Sequence, residues 1–177
     1  MNKVVIDVQI AVIMDALKKE KTQVAKLATA WLIKDKNNFL LFKRNSKNGF
    51  GEWALPGGKM DTTDETVYHG AIRELKEETG IDDVIIYESS FPVFTKSPLE
   101  AYVTFIFILE VADVKELMDI IKSLNVVNDE GELCDVKIVP NSEMRNISNS
   151  NTTFKYTKAA LISYLSGNTK ILSFDIC

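Results

Sequence analysis

The sequence is poor in cysteine, histidine and proline, and these shortages exclude several classes of protein. Its 177 residues contain two cysteines, one histidine and four prolines. The cysteines, Cys134 and Cys177, make neither a disulfide framework nor the paired spacing of a zinc site. The apolar stretch 4–14 lacks a small-residue cleavage site, so we read no targeting segment. We therefore expect a reducing setting and a cytoplasmic location.

Long apolar runs and an excess of positive charge are also missing. No stretch approaches the roughly 18 apolar residues of a membrane-spanning helix, so we expect no membrane partner. The formal net charge of −4 gives no general attraction to nucleic acid. We therefore expect a small-molecule partner, whose phosphates would have to be held by local cations or a metal. The apolar and charged contents, 46% and 26%, are ordinary for a globular protein of one domain.

The stretch 57–81 carries the most informative pattern in the chain. Glu74, Glu77 and Glu78 fall within an arc of about 100° on a helix. Like charges at this spacing repel by a few tenths of a kcal/mol per pair. A hard divalent cation such as Mg²⁺ or Mn²⁺ would favour the grouping, because it binds carboxylates and keeps positions open for water and phosphate. Taken alone, the acids are more typical of a solvated helix face, so their surroundings decide.

Those surroundings favour a site over a solvated face. A short apolar strand leads into Gly57 and Gly58, a turn where the backbone can approach a ligand closely. Thr62 and Glu65 predict a capping box at the start of the helix. The helix then carries an apolar stripe, made of Val67, Ala71, Ile72 and Leu75. The three acids would therefore lie at the margin of a hydrophobic core.

Glu65, seven intervening residues and the run 73–81 (RELKEETGI) together resemble the Nudix box, the signature of the Nudix hydrolases. The preceding run 53–58 (WALPGG) is similar to the usual lead-in of that family. One position departs from the pattern, because six residues separate Gly58 from Glu65 where the family usually has five. Either the loop 59–64 is one residue longer, or Lys59 occupies the glycine position.

The resemblance covers about residues 24–166 and implies an α/β fold, a Nudix-type α/β/α sandwich with a mixed β-sheet. We assign residues 23–177 to this domain. Residues 1–22 form an N-terminal extension, expected to contain a helix that either packs on the domain or makes a dimer contact. Hydrophobic patterns predict strands at 24–33, 39–43, 84–87, 91–94, 102–111 and 136–139, and helices at 114–124 and 152–166.

The resemblance also implies a reaction. Its members hydrolyse a phosphoanhydride bond with Mg²⁺ or Mn²⁺, so we expect a nucleoside diphosphate linked to another moiety as substrate and a nucleoside monophosphate as product. Metal ligands are carried over to four positions: Gly58 through its carbonyl, Glu74, Glu77 and Glu78. The resemblance gives Arg73 and Glu65 a supporting role in which the arginine fixes the loop.

The general base and the phosphate contacts are less narrowly defined. Several Nudix hydrolases take a base from a late loop, and the acidic loop 128–135 is similar in place, so Glu130 and Glu132 are both candidates. Glu78 or a metal-bound hydroxide is the alternative. Positive side chains near the glycine turn are candidate phosphate contacts, namely Lys43, Arg44 and Lys59. The first two, at a strand end, could equally be solvated edge cations.

Two other functions remain open. A hydrolase of the mRNA cap would want a basic path for RNA, which the lysines scattered over an acidic chain do not obviously make. A non-catalytic, nucleotide-binding Nudix module would be expected to have lost acids of the box, whereas this chain retains them.

Overall fold

The structure, a computed structural model, describes residues 26–82, 90–96, 101–167 and 173–175. Its strands are β1 (Lys26–Lys34), β2 (Asn38–Arg44), β3 (Trp53–Ala54), β4 (Ser90–Lys96), β5 (Ala101–Glu110), β6 (Leu133–Pro140) and β7 (Ser173–Asp175). Its α-helices are α1 (Val67–Thr79), α2 (Val114–Ser123), α3 (Met144–Asn149) and α4 (Lys155–Leu165). The predicted extension at 1–22 and the predicted strand at 84–87 lie outside the described residues.

The strands form one mixed sheet. Its order is β3-β2-β1-β5-β4-β7, and β6 pairs with β2. β1 runs antiparallel to β2 but parallel to β5, in a register from Lys26 opposite Tyr102 to Lys34 opposite Glu110. A parallel pair needs a long crossover connection, and α1 lies within this one. The predicted α/β fold with a mixed sheet is therefore confirmed.

Hydrophobic side chains cover both faces of the sheet. Because side chains alternate along a strand, Trp31 of β1 packs with α1 and α2 while Leu32 packs with α3 and α4. The indole of Trp31 donates a hydrogen bond to the Ala71 carbonyl (2.7 Å), which ties β1 to α1. β5 is buried from Ala101 to Ile108, as its continuous apolar sequence predicts. This burial fixes α1 in place at one face of the sheet.

The start of α1 differs from the prediction. Asp61 and Asp64 close a turn, in which the Asp61 N–H donates to the Asp64 carboxylate (2.7 Å) and the Asp64 N–H to the Asp61 carbonyl (3.2 Å). The helix therefore begins at Val67, after Thr66, whose hydroxyl accepts from the His69 N–H (3.1 Å). The predicted capping box at Thr62 is wrong.

Other boundaries in the C-terminal part of the domain also differ from the prediction. β6 begins at Leu133, ahead of the predicted 136, and α3 was not predicted at all. The predicted helix 152–166 begins only at Lys155, after a turn. Among the described helices, none combines the length and apolarity needed to cross a membrane.

Candidate functional site

The glycine turn is attached to the central strand of the sheet. The Thr29 N–H donates to the Gly58 carbonyl (2.8 Å), and the Trp31 N–H donates to the Pro56 carbonyl (2.9 Å). Gly57 has a φ of 141°, and a Cβ there would overlap the backbone of Thr29. Only glycine fits this close approach, so the turn is held in a fixed position beside β1.

The same two glycines lie directly against the acids of α1. The Gly57 N–H donates to Glu78 Oε2 (2.5 Å). A Cβ on Gly58 would overlap the Glu74 carboxylate. Lys59 instead turns its carbonyl to Arg73 Nη2 (3.1 Å). The residue that lies against the acidic cluster is therefore Gly58 and not Lys59.

Arg73 gathers the acids around one guanidinium group. Its Nε and Nη2 donate to the two oxygens of Asp64 (3.1 and 2.9 Å). Its Nη1 donates to both Glu74 (2.8 Å) and Glu77 (3.0 Å). The pKa of Arg73 is raised, chiefly by the hydrogen bonds to Asp64. Because Glu74 and Glu77 share one nitrogen, their carboxylates converge on the same point.

Asp64, and not Glu65, is the partner of Arg73. Glu65 is 81% exposed, and its carboxylate lies 3.8 Å from the ring of His69. The Asp64 side chain is only 5% exposed, and five residues separate it from Gly58. The supporting role expected for Glu65 is therefore wrong. The extra residue of this chain falls after the acid, between Asp64 and Arg73, and the loop ahead of the acid has the usual length.

Burial raises the pKa of two of the acids, Glu74 and Glu78. The pKa of Glu78 is raised to about 8, first by burial and then by the charges of Glu74 and Glu132, against the lowering effect of the Gly57 N–H. The pKa of Glu74 is raised as well, again mainly by burial, although Arg73 partly offsets it. A site of this kind favours either protonation or an additional cation.

The two candidates for the general base occupy different environments. The charge of Glu132 acts on Glu74, Glu78 and Arg44. Glu132 immediately precedes β6, and its carbonyl accepts from the Asn45 N–H (2.7 Å). Glu130 and Glu132 are both exposed, and the Glu130 N–H donates to the side-chain oxygen of Asn128 (2.8 Å). The structure therefore brings Glu132, and not Glu130, to the acidic cluster.

Of the three predicted phosphate contacts, Arg44 is the most firmly held. Its Nε donates to the Asn48 carbonyl (2.9 Å) and its Nη2 to Ser46 (2.6 Å). Burial lowers its pKa, while the charge of Glu78 opposes that change. Arg44 and Lys59 both line a cavity beside the glycine turn, whereas Lys43 does not.

The cavity has a volume of about 170 Å³. Its walls come from β1, β5 and the first turns of α4, and Gly57 and Gly58 form part of its lining. The acids of α1 contact the same two glycines. The turn therefore joins a cavity to an acidic cluster, an arrangement that could hold two parts of one ligand.

The candidate donors for a divalent metal are the carboxylates of Glu74, Glu77 and Glu78 and the carbonyl of Gly58. Within the residues that the structure describes, no three carboxylate, imidazole or thiol groups are arranged to hold a metal ion together. The arrangement follows from Arg73, whose Nη1 lies between the carboxylates of Glu74 and Glu77. The chemistry of the donors does fit a hard ion, because carboxylates are the ligands such an ion prefers, and burial raises the pKa of Glu74 and Glu78, the two acids that lie against the glycine turn.

A mixed sheet between helices, with an acid-bearing helix beside a glycine turn, defines the class of fold that the sequence predicts. Comparison with known proteins agrees. The NUDIX domain model matches residues 25–160, so this chain belongs to the NUDIX domain family, and the predicted resemblance is confirmed.

Two similar proteins share a quarter to a third of their aligned residues with this chain. The chain is 34% identical over 88 residues to the ADP-ribose pyrophosphatase of Methanocaldococcus jannaschii, covering 48% of this chain. It spans about half (50%) of the length of that curated relative. The crystal structure of a MutT protein from Methanosarcina mazei is 25% identical with a TM-score of 0.59, covering 84% of this chain and 98% of that one.

A third likeness concerns the fold alone. The NUDIX domain of Shewanella oneidensis NrtR, solved in complex with ADP ribose, has a TM-score of 0.56 at 16% identity. The alignment covers 96% of this chain and 100% of that domain. This likeness shows that the fold is shared with a known NUDIX domain.

Proposed function

We propose that this chain is a Nudix-type pyrophosphohydrolase. It would hydrolyse the phosphoanhydride bond of a nucleoside diphosphate linked to another moiety and release a nucleoside monophosphate. One observation carries the proposal: Gly57 and Gly58 have a cavity on one side and the acids of α1 on the other. The ADP-ribose pyrophosphatase of Methanocaldococcus jannaschii and the NrtR complex with ADP ribose make ADP-ribose the first substrate to test.

Mg²⁺, with Mn²⁺ as the alternative, is the proposed cofactor. Its protein ligands would be Glu74, Glu77, Glu78 and the Gly58 carbonyl, which accepts one hydrogen bond from Thr29 and keeps a second lone pair. When bound, the ion supplies charge neutralisation at the diphosphate and lowers the pKa of an attacking water.

The chain's own side chains would orient the substrate. Arg44 and Lys59 line the cavity together with Gly57 and Gly58, so they are proposed to contact the phosphates. Lys43 does not line it and is the weaker candidate. Arg73 would act through its neighbours, because its bonds to Asp64 and to the Lys59 carbonyl hold the loop over α1.

Glu132 is the proposed general base. Its charge acts on Glu74 and Glu78, which supports a role in taking a proton from a water bound beside the cluster. Glu130 is the weaker candidate.

We also propose a cytoplasmic setting and a homodimer made through residues 1–22.

The decisive experiment is the replacement Glu77→Gln. The neutral amide keeps the shape but removes a proposed metal ligand, so release of AMP from ADP-ribose should fall by about a hundredfold with Mg²⁺ present. Monophosphate release from purified protein measures the effect. Glu65→Gln is the matched control, because Glu65 is exposed and lies outside the cluster. Equal turnover in the wild type and Glu77→Gln would remove the mechanism.

One observation favours a non-catalytic nucleotide-binding module as the second candidate. Arg73 neutralises Glu74 and Glu77 in the structure, as it would in a domain that binds a nucleotide without a metal. The same assay decides, because such a module would bind ADP-ribose and release no monophosphate at any concentration of Mg²⁺.

A further inference from the structure

The acidic loop that carries Glu132 is folded by hydrogen bonds of its own. The side-chain oxygen of Asn128 accepts from the N–H groups of Glu130 (2.8 Å) and Gly131 (3.1 Å). The backbone N–H of Asn128 donates to the Leu133 carbonyl (3.0 Å). These bonds join the loop to itself, so they shape it without fixing its position against the rest of the domain.

Asn45, which directly follows β2, attaches the loop to the sheet. Its side-chain Nδ2 donates to the carbonyls of Asp129 (2.8 Å) and Gly131 (3.0 Å). Its backbone N–H donates to the Glu132 carbonyl (2.7 Å). An asparagine amide has two N–H donors, so one residue holds three carbonyls of the loop, including that of Glu132.

A β-bulge decides which face of the sheet the loop residues take. The pairing of β2 with β6 shifts by one position at the end of β2, where Cys134 is the extra residue of β6. Leu133 and Val136 both pack in the core with α1, although residues three apart on a regular strand face opposite sides. The thiol of Cys134 donates to the Lys43 carbonyl (3.6 Å). Without the extra residue, Glu132 would be turned to the other face.

The bulge and Asn45 lie beside a proposed phosphate contact. Arg44 immediately precedes Asn45, and its side chain is held by the Asn48 carbonyl and the Ser46 hydroxyl. The charge of Glu132 acts on Arg44. Asn45 therefore joins the segment that would contact a phosphate to the segment that would activate a water.

We propose that Asn45 is a positioning residue that holds Glu132 in place for proton transfer. This role rests on the proposed function, in which Glu132 takes a proton from the attacking water. A general base must lie within hydrogen-bond reach of that proton, and a displacement of about 1 Å can cost about a hundredfold in rate. The side-chain donors of Asn45 are bound to loop carbonyls, so Asn45 acts through the loop and not on the substrate.

The replacement Asn45→Ala removes the two side-chain bonds and keeps the backbone bond. The kcat for ADP-ribose should fall at least about tenfold while KM stays within about twofold, because the base is misplaced and the substrate contacts remain. In a Glu132→Gln background the same replacement should change kcat by less than about twofold, because no base is left to position. A purely structural role would lower kcat by the same factor in both backgrounds.

Asn141→Ala is the matched control. Asn141 lies at the opposite end of the same strand pair, directly after β6, and its Nδ2 also donates to two backbone carbonyls, those of Asp35 and Lys36 (3.1 Å each). This variant loses the same kind of bonds far from the acids and should keep the wild-type kcat. An equal fall in kcat for Asn45→Ala and Asn141→Ala would mean general loosening of the strand pair and would overturn the proposal.

Amide hydrogen exchange tests the position of the loop without turnover. Exchange across residues 129–133 should be at least about tenfold faster in Asn45→Ala than in the wild type, because two hydrogen bonds that oppose opening are lost. Asn141→Ala should leave this exchange unchanged.

The outcomes separate this role from the proposed function. Unchanged exchange in Asn45→Ala, or wild-type kcat in Asn45→Ala beside an impaired Glu132→Gln, would refute the role of Asn45 and keep the hydrolase with its base. Wild-type kcat in Glu132→Gln would refute the base and Asn45 together but keep the hydrolase. No monophosphate release by the wild type would refute all three.

Discussion

At the scale of single residues, the position of one acid decides how the loop before α1 is held. Asp64 accepts two hydrogen bonds from Arg73 and is 5% exposed, whereas its neighbour Glu65 is 81% exposed. The pKa of Asp64 is lowered, first by the hydrogen bonds from Arg73. The two adjacent acids therefore contribute very differently to stability, although the sequence alone favoured Glu65.

The replacement Asp64→Asn tests this assignment. The variant loses a charged, two-point contact and leaves Arg73 partly unpaired, so the free energy of unfolding should fall by about 1–3 kcal/mol. Glu65→Gln should change it by less than about 0.5 kcal/mol, because an exposed side chain contributes little. Urea denaturation at pH 7 measures both. An equal loss in the two variants, or a larger loss in Glu65→Gln, would contradict the register described above.

At the scale of elements, the glycine turn depends on two different kinds of close contact. At Gly57 an added Cβ would meet the backbone of Thr29, which cannot move without disturbing β1. At Gly58 it would meet the carboxylate of Glu74, the end of a side chain. The contact at Gly57 fixes the packing of the turn against the sheet, whereas the contact at Gly58 fixes the turn against an acid of the site.

Alanine at each position should separate these effects. Gly57→Ala should lower the free energy of unfolding by about 2 kcal/mol or more, because the strained backbone and the overlap with Thr29 cannot be relieved locally. Gly58→Ala should cost less than about 1 kcal/mol yet lower turnover of ADP-ribose about tenfold or more, because Glu74 must move. Thermal unfolding and monophosphate release report the two effects.

Gly51→Ala provides the control for backbone conformation. Gly51 has a φ of 77° with no atom within 4 Å of an added Cβ, so it should show only the cost of a positive φ, about 1–2 kcal/mol. If Gly57→Ala were no more harmful than Gly51→Ala, the contact with Thr29 would not constrain the turn.

Elements with strong local patterns could be predicted from the sequence, and those set by tertiary contacts could not. The strands β1, β2 and β5 and the helix α2 could be predicted because their hydrophobic patterns follow from local burial. The start of α1 was missed because Asp61 and Asp64 form a turn that outcompetes the cap predicted at Thr62. The six-residue α3 was missed because its length gives almost no periodicity.

At the scale of the whole molecule, the sequence predicted the acids of the site but not the cavity beside them. The acids are adjacent on one helix, so their spacing alone reveals them. The cavity needs β1 and β5 side by side, with α4 packed across them. Similarly apolar strands do not indicate which pairs with which. Arg44 was recognised as a cation near the site, but its stacking on Phe154, 110 positions later in the chain, carries no sequence signal.

The buried carboxyl of Glu78 links the site to the stability of the entire domain. Its pKa is about 8 in the folded protein, against an ordinary value of 4.5. A raised carboxyl pKa means that the folded state binds the proton more tightly, so its contribution is complete below pH 4.5 and is lost as the pH rises through 8. Without metal, the wild type should lose a few kcal/mol of unfolding free energy across this window, relative to Glu78→Gln.

Denaturation of chelator-treated protein at several pH values measures that difference. The control adds saturating Mg²⁺. If Glu78 is a metal ligand as proposed, Mg²⁺ should stabilise the wild type more at pH 8 than at pH 5.5, because the carboxyl must be deprotonated to bind the ion. Parallel curves for the wild type and Glu78→Gln would show that this carboxyl titrates normally.

The hydrogen bonds between the glycine turn and β1 have a consequence for local unfolding. The N–H groups of Thr29 and Trp31 belong to the middle of the sheet, yet they bind carbonyls of the turn. A ligand-binding loop is commonly among the least stable parts of a fold. Here the turn cannot detach unless the central strand loses its own partners, so the proposed phosphate-binding segment should open only in the same cooperative event that melts the core.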